Sequence, residues 1–414
     1  MPIDFTLSDP QRRLRDSARC FANDVLSGVR DASRNLPTAT ERFAATRPFY
    51  EQAIGAGFLR RLIPQPFGGE GAGYIDMAIV AEEFYAVDVN VSLTLFANLL
   101  GLMPLFLAGS ADQHARFVAP FLAGVGAPLA AFASSEPGGS ANYAAPAPAE
   151  GVRTTARRDG NTWVLDGTKQ WISSATGWDA GGADLLCVVC RTDSDAPPER
   201  GISVIAVPRP ERGLTLIRAP ETLGHRAHLV PRFRLAQVRV PLDHLIGAPG
   251  QGKAIVDASF GATAALVGLM GVGLMRAAFG FALEFARTQR RGGARPIIEH
   301  QAVGYAMADA KTAIEAARYL GWKACHAMDA QAPGAPEMAV HSKILGSESA
   351  VRVITALMSV VGIDSYDHEL PLAGLLQDAL VLPLFDGGNM GVRRRQLHEL
   401  LAGPDYDPMA AADA

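Results

Sequence analysis

Residues 152–174 read V-R-T-T-A-R-R-D-G-N-T-W-V-L-D-G-T-K-Q-W-I-S-S. Two short runs with β-branched and aromatic residues flank D-G-N, a turn signal, so the stretch predicts a β-hairpin. Similar runs follow: D-L-L-C-V-V-C-R (184–191), G-I-S-V-I-A-V (201–207), L-T-L-I-R (214–218) and F-R-L-A-Q-V-R-V-P (233–241). Asn, Gly, Asp and Pro punctuate them. The pattern predicts an antiparallel all-β domain of six to eight strands over residues 129–241.

The pattern changes on both sides of this domain. Residues 1–128 have apolar positions at helical spacing, after a helix-start signal at Ser8-Asp9-Pro10-Gln11. A Pro- and Gly-rich loop, I-P-Q-P-F-G-G-E-G-A-G (63–73), precedes helices predicted over 74–87 and 91–108. Residues 242–414 return to long helices, predicted over 255–288, 298–329, 335–362 and 387–402, which suits a four-helix bundle. The expected fold class is α+β, mainly α.

Composition narrows the function. Of 414 residues, 49% are hydrophobic and 19% charged, so the chain is not disordered. A net charge of −4 leaves no basic excess for a nucleic-acid surface. Four cysteines make no disulfide framework, and Cys187-x-x-Cys190 lacks a second ligand pair, so no metal site is expected. The longest uncharged run, 258–275, holds Ser259, Thr263 and four glycines and reads as a buried bundle helix rather than a membrane span. The first residues lack a basic start and an apolar core. A cytoplasmic location is expected.

Several strings then matter together. I-P-Q-P-F-G-G-E-G-A-G leads to A-E-E-F (81–84), S-E-P-G-G-S (135–140), L-D-G-T-K-Q-W-I-S-S (165–174), R-P-I-I-E-H-Q (295–301), A-A-R (316–318) and F-D-G-G-N (385–389). In this order and spacing, the chain resembles the acyl-CoA dehydrogenase family of flavoproteins from about Phe5 to Leu401. The resemblance implies an N-terminal helical domain, a middle β-barrel, a C-terminal four-helix bundle and bound FAD. It also implies a homotetramer or homodimer in which a neighbouring subunit completes the cofactor site.

Most of the family removes two hydrogens from the Cα–Cβ bond of an acyl thioester. That needs a base for the α-proton, donors for the enolate oxygen and a hydride acceptor, which no side chain provides. The resemblance sets Asp386 in the place of the family's catalytic glutamate, as the related nitroalkane oxidases do. Taken alone, D-G-G-N reads as a turn. Trp171 matches the tryptophan on the flavin ring, and Ser173 the hydroxyl near the flavin N5 and O4. Ser135, with Phe132 beside it, matches the pyrimidine contacts, and Ser140 the pyrophosphate or pantetheine contact. Arg290 matches an arginine that reaches the FAD pyrophosphate of a neighbouring subunit, Gln301 the FAD contact that accompanies it, and Gly362 a turn at the ADP moiety. Phe96, Leu99, Phe385 and Gly387 would line the substrate pocket.

The chain departs from the family in four places. The family's R-x-x-F-G is Arg290-Arg291-Gly292-Gly293-Ala294. The Gln- and Gly-rich turn near Gly362 is largely lost. Gly261 and Ala264 replace an acid and an arginine that meet the substrate. The base is aspartate. These changes imply a specialised member acting on an acyl-CoA or carrier-protein thioester, with an electron-transfer flavoprotein as oxidant. A flavin-dependent oxidase or monooxygenase on the same fold is the alternative, and a non-catalytic homologue without FAD is a third.

Overall fold

The computed structural model describes residues 5–146, 149–210 and 212–409. The expectations that touch residues 1–4 and 410–414 lie outside these.

The N-terminal part is helical. Helix α1 (Asp9–Asp24) starts as its sequence dictates: Ser8 Oγ accepts from the Gln11 amide, and the Gln11 side chain accepts from the Ser8 amide at 2.9 Å. Helices α2 (Ala39–Gly55), α3 (Tyr74–Tyr85) and α4 (Val89–Ala108) follow. Asp88 caps α4 by accepting from the Val91 amide at 2.7 Å.

Eight strands make the middle sheet: β1 (Ala130–Ala133), β2 (Thr155–Asp159), β3 (Thr162–Gln170), β4 (Leu185–Arg191), β5 (Ile202–Pro208), β6 (Leu214–Arg218), β7 (Arg232–Pro241) and β8 (Leu245–Ile246). The D-G-N hairpin forms as predicted, with Thr155 opposite Asp166 and Asp159 opposite Thr162. The order is β6-β7-β3-β2-β4-β5-β8, with β1 also on β4. Most pairs are antiparallel. β1 runs parallel to β4, and β2 meets β4 in parallel at Thr155, which an all-antiparallel reading does not include. The reason is connectivity: β1 enters from the helical domain, and the long stretch after it lets the chain return in the same direction.

Three long helices dominate the last third: α5 (Gly252–Thr288), α6 (Gln301–Asp329) and α7 (Ala335–Val361). They pack closely because small residues face one another. A Cβ on Gly346 would stand 2.5 Å from the Gly268 carbonyl oxygen, so only glycine fits there. The fourth segment differs from the single helix predicted over 387–402. Helix α8 (Pro371–Ala379) comes first, then an irregular loop, a π-turn over Asn389–Arg393 and α9 (Arg394–Leu401). Gly387 and Gly388 break the helical run and leave a loop where the candidate base stands.

Candidate active site

A cavity of about 750 Å³ opens between the sheet, α4, α5 and the loop after α8. Its walls are mostly apolar, with contributions from Leu93, Phe96, Leu99, Phe132, Phe260 and Val267. The Phe132 and Phe260 rings meet with centroids 5.3 Å apart. A cavity of this size holds more than a small substrate.

Asp386 lies in this wall with its side chain 3% exposed. Its two carboxylate oxygens have different partners. Thr263 donates to Oδ1 at 2.9 Å, and Arg393 donates from Nη2 to Oδ2 at 3.1 Å. Arg393 is itself fully buried. It also donates from Nε and Nη2 to the Asp386 carbonyl at 3.1 and 2.8 Å, and from Nη2 to the Phe260 carbonyl at 2.8 Å. The guanidinium thus balances a charge held away from water and fixes its backbone as well. Asp386 and Gly387 both have left-handed backbone, with φ of 52° and 68°. The turn reading of D-G-G-N and the base reading are therefore compatible: the turn is what aims the carboxylate.

Behind the loop, Lys343 braces both its ends. Its ammonium donates to the Asn389 side chain at 2.9 Å and to the Leu382 carbonyl at 3.4 Å. Burial pushes Lys343 down to about 8, against the pull of Asp386.

The opposite wall is set by a buried ion pair. Lys169 donates to Glu136 at 2.9 Å, and to the Ser134 and Val189 carbonyls at 3.0 and 2.7 Å. Glu136 also accepts from the Arg153 and Thr154 amides. These bonds lock the end of β1 to the end of β3, and the Gln170 amide donates to the Ser135 carbonyl at 3.0 Å. Ser135, Ser140, Trp171 and Ser173 consequently all line the cavity. Ser135 donates to Ser140 at 3.2 Å. Trp171 has φ of 61° and is 53% exposed. A bulky residue in left-handed backbone, with a bare indole at the rim of a cavity, is a strained arrangement of the kind found where a ligand is held. A flat ring system fits against it, so the residues suit a flavin.

The structure brings Asp386, Phe132, Ser135, Ser140, Trp171, Ser173, Phe96, Leu99, Phe385 and Gly387 to one cavity. It does not bring Arg290, Gln301 or Gly362 there. Arg290 lies on an exposed turn, donating to the Ala294 carbonyl, and Gln301 bonds Tyr305 at the exposed start of α6. Gly362 ends α7 with φ of 80°, close to the Arg291 side chain. The resemblance assigns Arg290, with Gln301, to the FAD pyrophosphate of a neighbouring subunit.

Gly261 and Ala264 do not line the cavity, although Phe260 and Thr263 do. The helix register thus places a hydroxyl, not a void, against the Asp386 carboxylate. Sequence reasoning missed Thr263 as a site residue because it is one polar residue in an apolar run. Arg393 lies seven residues after Asp386, and only the folded loop brings the two side chains together.

Three family models match the chain: the N-terminal domain of acyl-CoA dehydrogenase over residues 8–125, the middle domain over 131–238 and the C-terminal domain over 250–401. A nitroalkane oxidase of Podospora anserina is 43% identical, covering 98% of each chain. One from Fusarium oxysporum is 38% identical, covering 99% of this chain and 97% of the other. The bovine short-chain specific acyl-CoA dehydrogenase is 31% identical over 92% of this chain and 87% of its own. The solved Podospora anserina nitroalkane oxidase superposes with a TM-score of 0.95 at 41% identity, covering both chains fully. Another solved structure, with a TM-score of 0.95 and 38% identity over 99% of each chain, concerns the roles of an arginine and an aspartate in the reaction of the flavoprotein nitroalkane oxidase. Those two residues are also seven positions apart.

Proposed function

The chain belongs to the acyl-CoA dehydrogenase family, and from that premise we propose that it is a flavin-dependent oxidase acting on nitroalkanes with an apolar chain. It is an oxidoreductase, and its cofactor is FAD. The observation that carries the substrate reading is the buried Asp386–Arg393 pair beside an apolar cavity. The seven-residue spacing of an aspartate and an arginine in nitroalkane oxidase supports it. A structure of an active-site aspartate-to-asparagine mutant of nitroalkane oxidase, crystallized with 1-nitrooctane, supports an alkyl chain as ligand.

A nitro group acidifies the carbon that bears it, because the charge left by the departing proton spreads onto the nitro oxygens. Asp386 takes that proton. Thr263 and Arg393 hold its two oxygens in place, so the carboxylate meets the carbon without first reorganising. Phe96, Leu99 and Phe132 cover the alkyl chain and exclude water. FAD supplies the two-electron acceptor when bound. Among the two enzyme readings of the sequence, the relatives favour the oxidase over the acyl thioester dehydrogenase, and dioxygen then replaces an electron-transfer flavoprotein as oxidant.

Oxygen uptake and peroxide release, measured with 1-nitrohexane or 1-nitrooctane, test this. Turnover with a nitroalkane and none with acyl-CoA plus electron-transfer flavoprotein is the expected result. The reverse would overturn it.

A further inference from the structure

The loop between β6 and β7 places His228 in the cavity wall, 3% exposed, and the role of its ring is not covered by the reaction above. The imidazole joins two hydroxyls. Its Nε2 is 3.0 Å from Ser173 Oγ, and its Nδ1 is 3.0 Å from Thr94 Oγ1. Thr94 in turn donates to the Asn90 carbonyl at 2.9 Å. The Asn90 side chain accepts from the Ala227 amide at 2.9 Å, which fixes the loop one residue before the ring.

This chain has a direction. A carbonyl only accepts, so the Thr94 hydrogen is committed to Asn90. Thr94 Oγ1 then has only lone pairs to offer His228, and Nδ1 must carry the hydrogen between them. Burial pushes His228 down to about 3, so the ring is neutral near pH 7 and carries one hydrogen. With that hydrogen on Nδ1, Nε2 is bare and accepts from Ser173. The Ser173 hydrogen is therefore turned into the wall, and Ser173 shows only lone pairs to the cavity.

We propose that His228 is a positioning residue that makes Ser173 an obligate hydrogen-bond acceptor toward the bound flavin. The inference rests on the reading that FAD occupies this cavity with its redox-active edge near Ser173. A flavin gains an N–H at that edge on reduction. An acceptor there favours the reduced cofactor, whereas a free hydroxyl could instead donate to the oxidised one. Losing one such hydrogen bond changes the ratio of affinities for the two redox forms by roughly tenfold. For a two-electron couple, tenfold corresponds to about 30 mV.

Two measurements test this, and neither needs substrate. In the protein without cofactor, ¹⁵N NMR of labelled histidine should show His228 protonated at Nδ1 and bare at Nε2. A hydrogen on Nε2 would overturn the proposal. In the FAD-loaded protein, H228L should lower the flavin midpoint potential by about 30 mV, and H228Q, which can still accept from Ser173, should recover most of the shift. In the S173A background, H228L should change the potential no further. An unchanged potential in H228L, or an equal shift with and without Ser173, would overturn the proposal. If H228L does not fold, H228Q and the NMR tautomer decide it. Because no nitroalkane is used, failure here is distinct from failure of the oxidase reading, which oxygen uptake reports.

Discussion

Among the described residues, two groups pair buried carboxylates with arginines, and they differ in what they leave open. One is the junction of the N-terminal helices with the bundle. There Glu83 on α3 pairs with Arg276 at 2.6 Å and Arg19 at 2.9 Å, while Glu82 pairs with Arg318 at 2.9 Å and Arg276 at 3.0 Å. Two carboxylates share three guanidiniums, each in regular helix. The other is Asp386 with Arg393 and Thr263. It has one guanidinium, one hydroxyl and a left-handed loop, and it borders a cavity. The chemistry of the pairs is the same. The first borders only a small polar cleft and holds helices together, whereas the second opens on the large apolar cavity.

The sharpest way to break the comparison is to neutralise each carboxylate. D386N keeps the shape and a hydrogen-bonding group but removes the base. It should lower kcat/KM for a nitroalkane by about 10³–10⁴-fold, with FAD still bound. Steady-state oxygen uptake reads this, and near wild-type rates would refute the base role. E83A should do the opposite. Kinetics should change little, while urea unfolding should show a loss of about 1–3 kcal/mol, because the partly exposed Arg276 and Arg19 lose a buried partner and Arg276 keeps Glu82.

The same pair predicts an acid limit. Burial raises the Glu83 carboxyl, but the bonds from Arg276 and Arg19 outweigh it and hold it below the usual carboxylate range. A carboxyl depressed in the folded state contributes stability above its unfolded value of about 4.3, and that stability is lost as pH falls through the folded value. E83A should therefore differ from wild type in unfolding free energy at pH 6 and differ less as pH falls below about 4. Equal differences at both pH values would show that the pair is not ionic.

A smaller effect separates the two donors at the open site. T263A leaves the Arg393 contacts intact and removes one bond to Asp386, so kcat/KM should drop by about tenfold. The smallest concerns the walls. If the cavity takes the alkyl chain, each added methylene should raise kcat/KM by about fourfold until the cavity is full, from about 0.8 kcal/mol per buried CH₂. A flat series from nitroethane to 1-nitrohexane would place the chain elsewhere.

The fold was largely legible because each part follows a local rule. The D-G-N hairpin, the Ser8 cap and the apolar run inside α5 are set by neighbours in sequence. Asp386, Trp171 and Ser173 were legible through strings whose spacing is kept. Thr263, Thr94 and His228 were not. Each becomes meaningful only when distant elements meet, as α4, the β6–β7 loop and the end of β3 do around His228. Nothing in the sequence near a lone threonine or histidine marks what it will touch. The helix predicted over 387–402 forms from Asn389 onward, after the two glycines, but the helix Pro371–Ala379 before the loop was missed.

The left-handed turn at residue 386 bears on how such enzymes can diverge. Aspartate is among the few residues that tolerate this backbone, whereas most side chains lose about 1–2 kcal/mol there. A change from aspartate to glutamate would add a methylene to the base and at the same time strain the peptide that carries it. The route between this site and one with a glutamate base therefore runs through the loop before it runs through the side chain. A lineage that reshaped residues 384–389 first could exchange one side chain for the other with little loss, and one that exchanged the side chain first would carry that strain until the loop followed.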